Sequence, residues 1–166
     1  MQACARGLPS LAAGPSLHAF AADCSVPTPP PSQSIVLLDD EKSYTELMRQ
    51  MLAENFDCPV HGFTRPMEAL KELPTIRPSV VVTDYYMPQM DGIEFIRRAS
   101  PLLPGSVFLI ITGHNLAGQE DTLERLLQLK AVLPKPFGSQ KLSSEILKVW
   151  PTDVPAPSLR NGPRPA

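Results

Sequence analysis

Five polar side chains stand directly after short apolar runs: Asp39 and Asp40 after "IVLL", Asp84 after "VVVT", Thr112 after "VFLII", and Lys135 in "AVLPKPF". Carboxylates gathered in one place repel one another and raise each other's pKa, so a hard, oxygen-seeking dication is a natural means of keeping them ionised. Mg2+ suits such a set better than zinc. His18, His61 and His114 sit on separate segments, and Cys4, Cys24 and Cys58 have no ligand spacing, so no soft-metal cluster competes. A carboxylate can also attack phosphorus while a metal and a lysine neutralise charge on the phosphoryl oxygens. On this chemistry Asp84 is a phosphoryl acceptor.

The elements that carry these residues must bring them to one edge. "IVLL" at 35–38, "VVVT" at 80–83 and "VFLII" at 107–111 have the β-branched and apolar content of strands buried on both faces, with weaker candidates at 59–63 and 131–134. Between them, "SYTELMRQMLAENF" places Tyr44, Leu47, Met48, Met51, Leu52 and Phe56 at helical spacing. Further helices are predicted at Pro66 to Glu72, Gly92 to Ser100 with Asp91 as cap, Gln119 to Gln128, and Gln140 to Val149. Strand and helix alternate five times, which predicts an α/β fold: a parallel sheet with helices on both faces and its ligand at the carboxyl ends of the strands.

Composition sets the outer limits. The chain has 166 residues, 43% hydrophobic and 19% charged, with a formal net charge of -2, which suits one domain and does not suggest direct nucleic-acid binding. The twenty prolines cluster toward the ends. Residues 1–33 read as a disordered Ala/Pro/Ser-rich arm, 34–150 as the folded domain, and 151–166 as a disordered Pro-rich tail. "AFAADC" resembles a leader-cleavage sequence, but Pro9, Gly14, Pro15 and His18 interrupt any apolar core before it. No apolar run approaches the roughly 20 residues that span a bilayer. The three cysteines are read as reduced thiols and the location as cytoplasmic.

"LLDDE", "TDYYMPQMDG", "IITGH" and "LPKPF", in this order and at these spacings, resemble the receiver domain of bacterial two-component response regulators over about residues 34–150. The resemblance implies a doubly wound, flavodoxin-like five-stranded parallel sheet in the order 2-1-3-4-5, the order the chemotaxis receiver itself exemplifies. It implies that a histidine kinase or phosphotransfer protein phosphorylates Asp84. It further implies that Asp40 and Asp84 ligate Mg2+ directly, that Asp39 acts through a metal-bound water, and that the backbone carbonyl of Tyr86 completes the protein's share. Thr112 would donate its hydroxyl to the phosphoryl group, Lys135 would pair with it, and the Lys135–Pro136 peptide would be cis. Such a protein is no enzyme beyond its own phosphorylation and dephosphorylation, and it signals to a downstream protein through conformational change.

Two positions depart from the family's habit. Val132 stands three residues before the lysine, where receivers often carry an aromatic that follows the threonine's movement. Tyr86 is bulky at the position two beyond the acceptor, where side chains govern access of hydrolytic water, and His114 lies two beyond Thr112 on a loop expected to flank the same approach. Other readings compete. Asp39 and Asp40 would serve equally as caps for the helix starting near Ser43. A receiver-shaped module that binds partners without phosphorylation would use the same fold, and a Mg2+-dependent phosphatase would want a second acid at position 86, where this chain has tyrosine.

Overall fold

The computed structural model describes residues 31–160. Its strands are β1 (Ser32–Leu38), β2 (Val60–Phe63), β3 (Pro78–Asp84), β4 (Val107–Thr112) and β5 (Leu129–Pro134). The helices between and after them are α1 (Lys42–Asn55), α2 (Pro66–Ile76), α3 (Gly92–Ala99), α4 (Glu120–Glu124) and α5 (Ser139–Val149). All neighbouring strands are parallel, and the sheet order is β2-β1-β3-β4-β5, as the resemblance implied.

Alternation along the strands divides the core in two. Ile35, Leu37, Val80, Val82, Leu109 and Ile111 face α1 and α5, where Met48, Leu52, Leu142 and Ile146 close over them. Val36, Leu38, Val81, Phe108 and Ile110 face the other way, against Ala69, Leu73, Phe95 and Ile96 of α2 and α3. Every residue of β3 is buried, from the apolar run Val80–Val82 to Asp84 at its end; the hydroxyls of Ser79 and Thr83 each donate to a backbone carbonyl, Ser32 O and Asp84 O. The registers Leu38 with Thr83, Asp84 with Ile111, and Thr112 with Pro134 bring the ends of four strands level. The polar residues that follow them therefore share one edge.

Three elements differ from the sequence-based expectation. Helix α2 does not stop at Glu72 but runs through Pro74 to Ile76, because Leu73 at 0% exposure needs the extra turn to reach the core. It ends at Arg77, whose φ of 50° is the left-handed conformation that closes many helices. Helix α4 covers only Glu120–Glu124 of the predicted 119–128. Leu126 turns inward while Leu127 is 83% exposed, so the stretch after Glu124 lacks a continuous apolar face and closes in tight turns, Leu126 N to Leu123 O and Leu129 N to Leu126 O.

The third difference is at the end of the chain. Residues 151–160, expected as part of a disordered tail, pack back on the domain instead. Trp150 and Val154 are buried in the core beside α1 and α5, Leu159 forms an antiparallel bridge with Phe56, and Arg160 pairs with Asp57 at 3.0 Å. Composition pointed to disorder because it weighed the prolines and not the spaced apolar residues among them. The expected N-terminal arm lies outside the described residues as far as residue 30, and β1 begins at Ser32, inside the span assigned to that arm.

Candidate functional site

Asp84 is the last residue of β3, buried to 6% exposure, and both carboxylate oxygens are engaged. Oδ1 accepts a hydrogen bond from Lys135 Nζ at 2.6 Å, and Oδ2 accepts one from the backbone N–H of Tyr86 at 2.7 Å. Behind it the chain must turn sharply into α3, and Gly92 makes this possible. A Cβ at Gly92 would lie 2.7 Å from the Asp84 carbonyl oxygen, so no larger residue fits without moving the acceptor's own backbone. Asp91 caps the helix through its Oδ1, which accepts from Glu94 N at 2.8 Å, as expected.

Asp39, one residue beyond β1, is equally buried. Its Oδ2 accepts from Lys135 Nζ at 2.8 Å while Oδ1 accepts from Glu41 N at 2.9 Å, so it joins the cluster and also ties down the start of α1. It is not the helix cap that one reading expected, since α1 has Glu41 at that position and no side-chain cap bond. Asp40 is exposed and takes part in none of these bonds. Among the described residues, no three His, Cys, Asp or Glu side chains are gathered closely enough to hold a metal.

Lys135 is the centre of the arrangement. Its backbone N–H donates to Thr112 O at 2.7 Å, which joins the two loops, and the Lys135–Pro136 peptide is cis. Burial works against the lysine's charge, yet the hydrogen bonds and charges of Asp39 and Asp84 outweigh it and leave the ammonium above the ordinary lysine range. The ammonium thereby offsets part of the negative charge of the two carboxylates. The Tyr44 ring lies under it, with the Nζ atom 4.6 Å from the ring centroid. Sequence reading assigned Tyr44 only to the apolar stripe of α1. An aromatic just past an acid pair was the available signal.

Thr112 lies at the end of β4, its Oγ1 accepting from His114 N at 2.9 Å. No bond joins its hydroxyl to Asp84. Tyr86, 68% exposed, has its ring 5.6 Å from that of His114, so the β3–α3 and β4–α4 loops meet. Beside them a groove of about 450 Å³ opens, lined by Thr112, His114, Leu116, Val132, Pro134 and Lys135. Val132 is 40% exposed at its wall.

Comparison with known proteins bears on this geometry. The family model of the response regulator receiver domain matches residues 35–147. The chain belongs to that family. The receiver is 31% identical over 111 residues to the C4-dicarboxylate transport transcriptional regulatory protein DctD of Rhizobium meliloti, covering 66% of this chain and 23% of that one. It is 29% identical over 106 residues to a protein-glutamate methylesterase/protein-glutamine glutaminase of Hahella chejuensis, covering 63% of this chain and 30% of the relative. The chain therefore spans a third or less of these relatives' length. In fold it is similar to a response regulator receiver domain protein of Methanospirillum hungatei, with a TM-score of 0.64 at 21% identity, covering 70% of this receiver and 91% of that chain.

Receivers work in two-component signalling; in this chain Asp84 ends β3, Thr112 ends β4 and Lys135 directly follows β5. No described helix is long and apolar enough to cross a membrane.

Proposed function

We propose that Asp84 accepts a phosphoryl group from a phosphohistidine of a kinase or phosphotransfer protein, and that the resulting change in the loops around it is read by a downstream protein. A carboxylate oxygen of Asp84 attacks phosphorus, the phosphorus–nitrogen bond breaks, and its electron pair leaves with the imidazole nitrogen. The observation that carries this reading is the position of Lys135 Nζ between Asp84 at 2.6 Å and Asp39 at 2.8 Å, a cation already placed where phosphoryl charge must be met.

The oxygen donors fit Mg2+ in kind: Asp39, Asp84 and the backbone carbonyl of Tyr86 would hold it, with Asp40, exposed and apart in this structure, turning in to join them, and its charge would screen the phosphoryl oxygens. Lys135 then leaves the carboxylates for the phosphoryl group. Thr112, level with Pro134 in the sheet, gives up its local turn with His114 and donates its hydroxyl to the same group. On this reading the receiver works in the cytoplasm, where kinases have access to it, and its partners are proteins.

Intact-mass measurement after incubation with Mg2+ and a small phosphodonor tests the reading. One phosphoryl group is expected on the wild type and none on Asp84→Asn. An unlabelled wild type would favour a receiver that binds partners without phosphorylation, and equal labelling of both would mean the acceptor lies elsewhere.

A further inference from the structure

We infer that Tyr44 is a positioning residue for Lys135: its ring seats the ammonium against Asp39 and Asp84 and so sets how readily the site exchanges lysine for a divalent cation. The inference rests on reading this cluster as the phosphoacceptor site. Tyr44 lies in the first turn of α1, half-buried, with its ring packed on the core that α1 and α5 share. Its position is fixed by that packing and does not depend on the lysine.

Lysine is a flexible point charge on a four-carbon stem, and it has to lose that freedom to sit in one place. Two hydrogen bonds to carboxylates hold the Lys135 ammonium from one side, and the ring centroid 4.6 Å from Nζ holds it from another. Remove the ring and the stem gains room to swing toward the groove beside Thr112, which Lys135 already lines. The Asp84 and Asp39 carboxylates that hold the lysine are also the groups that would help hold a divalent cation, so the two would compete. A better-seated lysine is a stronger competitor, so Tyr44 weakens metal binding in the resting receiver and keeps the lysine close enough to meet an arriving phosphoryl group.

The test uses the full chain with Tyr44→Phe, which keeps the ring, and Tyr44→Leu, which removes it. NMR should show the ε-methylene protons of Lys135 shifted upfield by the ring in wild type and Tyr44→Phe, and returned to ordinary lysine values in Tyr44→Leu. In Mg2+ titrations Tyr44→Leu should bind roughly two- to five-fold more tightly, the span expected of a partly exposed cation–π contact, with Tyr44→Phe matching wild type. In a Lys135→Ala background the difference should vanish. If leucine is not tolerated, Tyr44→Met serves as the ringless variant.

A ringless variant that keeps the lysine shift or the wild-type Mg2+ affinity overturns the inference, and so does a Tyr44→Phe variant that behaves like leucine. Failure of the underlying reading looks different: the wild type would take no phosphoryl group while the Tyr44-dependent lysine shift persisted.

Discussion

The rings of Tyr86 and His114 lie 5.6 Å apart and tilted by 36°, although one follows β3 and the other follows β4. This contact joins the loop that follows Asp84 to the loop that follows Thr112. On the proposed function an acyl phosphate on Asp84 would be hydrolysed by water arriving in line with the leaving oxygen, a path that the paired rings are expected to obstruct. Tyr86→Ala is expected to shorten the phosphorylated lifetime roughly two- to ten-fold, the range set by an aromatic contact of about 0.5–1.5 kcal/mol. Mg2+ affinity should change little, because the proposed ligand at 86 is a backbone carbonyl. Decay after removal of the phosphodonor measures this; an unchanged rate in Tyr86→Ala would place control of the lifetime elsewhere.

Lys135→Ala leaves the Asp39 and Asp84 carboxylates facing one another without their cation. The protein should stay folded but lose about 1–2 kcal/mol, a value kept low because the lysine is partly open to solvent. On the proposed function Mg2+ would bind the folded cluster and not the unfolded chain, so saturating metal should restore part of the loss. Thermal melts with and without Mg2+ give both numbers. Phosphorylation-induced NMR shifts equal to those of wild type would remove Lys135 from the coupling between chemistry and conformation.

Val154, seven residues past the end of the family match, is buried with Trp150 against α1 and α5. Val154→Ala removes two methyl-sized groups from that contact and should cost about 1.5 kcal/mol. Urea unfolding of the two forms is the direct comparison. A loss under a few tenths of a kcal/mol would mean that residues 151–160 add no stability to the domain.

Burial raises the Cys58 thiol to about 11 from an ordinary 9.0, with the charge of Asp57 adding to the effect. Unfolded chains release this proton first, so the contribution of Cys58 to stability is intact below pH 9 and falls away as pH rises toward 11. Thiolate is the reactive form, and Cys58 should therefore alkylate slowly at neutral pH in the folded protein. Peptide-resolved iodoacetamide labelling at several pH values checks the point, with denatured chain as reference.

Asp84 and Thr112 stand out in the sequence because each ends an apolar run that forms a wholly buried strand, whereas Lys135 follows the partly exposed β5 and was singled out by the joined motifs. The sheet order came from the resemblance of the joined motifs, since alternation alone leaves the order of parallel strands open. Helix α4 was overextended because Leu126 and Leu127 look alike in a sequence although one is buried and the other is 83% exposed. Tyr44 escaped notice as a site residue because its partner Lys135 comes from the far end of the domain. A contact between them requires β1 and β5 to be folded into the same sheet.

Beyond Val154 the chain crosses to the carboxyl end of α1, where Arg160 N donates to Asn55 O and Asp57 N donates to Ser158 O. Ser32, where the described sheet begins, is at that same amino-terminal edge, bonded to Arg77. Both exits from the folded body therefore lie about a strand's length, on the order of 20 Å, from Asp84. A fluorophore, affinity handle or surface tether attached at either exit leaves the face around Asp84 clear, and immobilised receiver presents that face outward to whatever is passed over it.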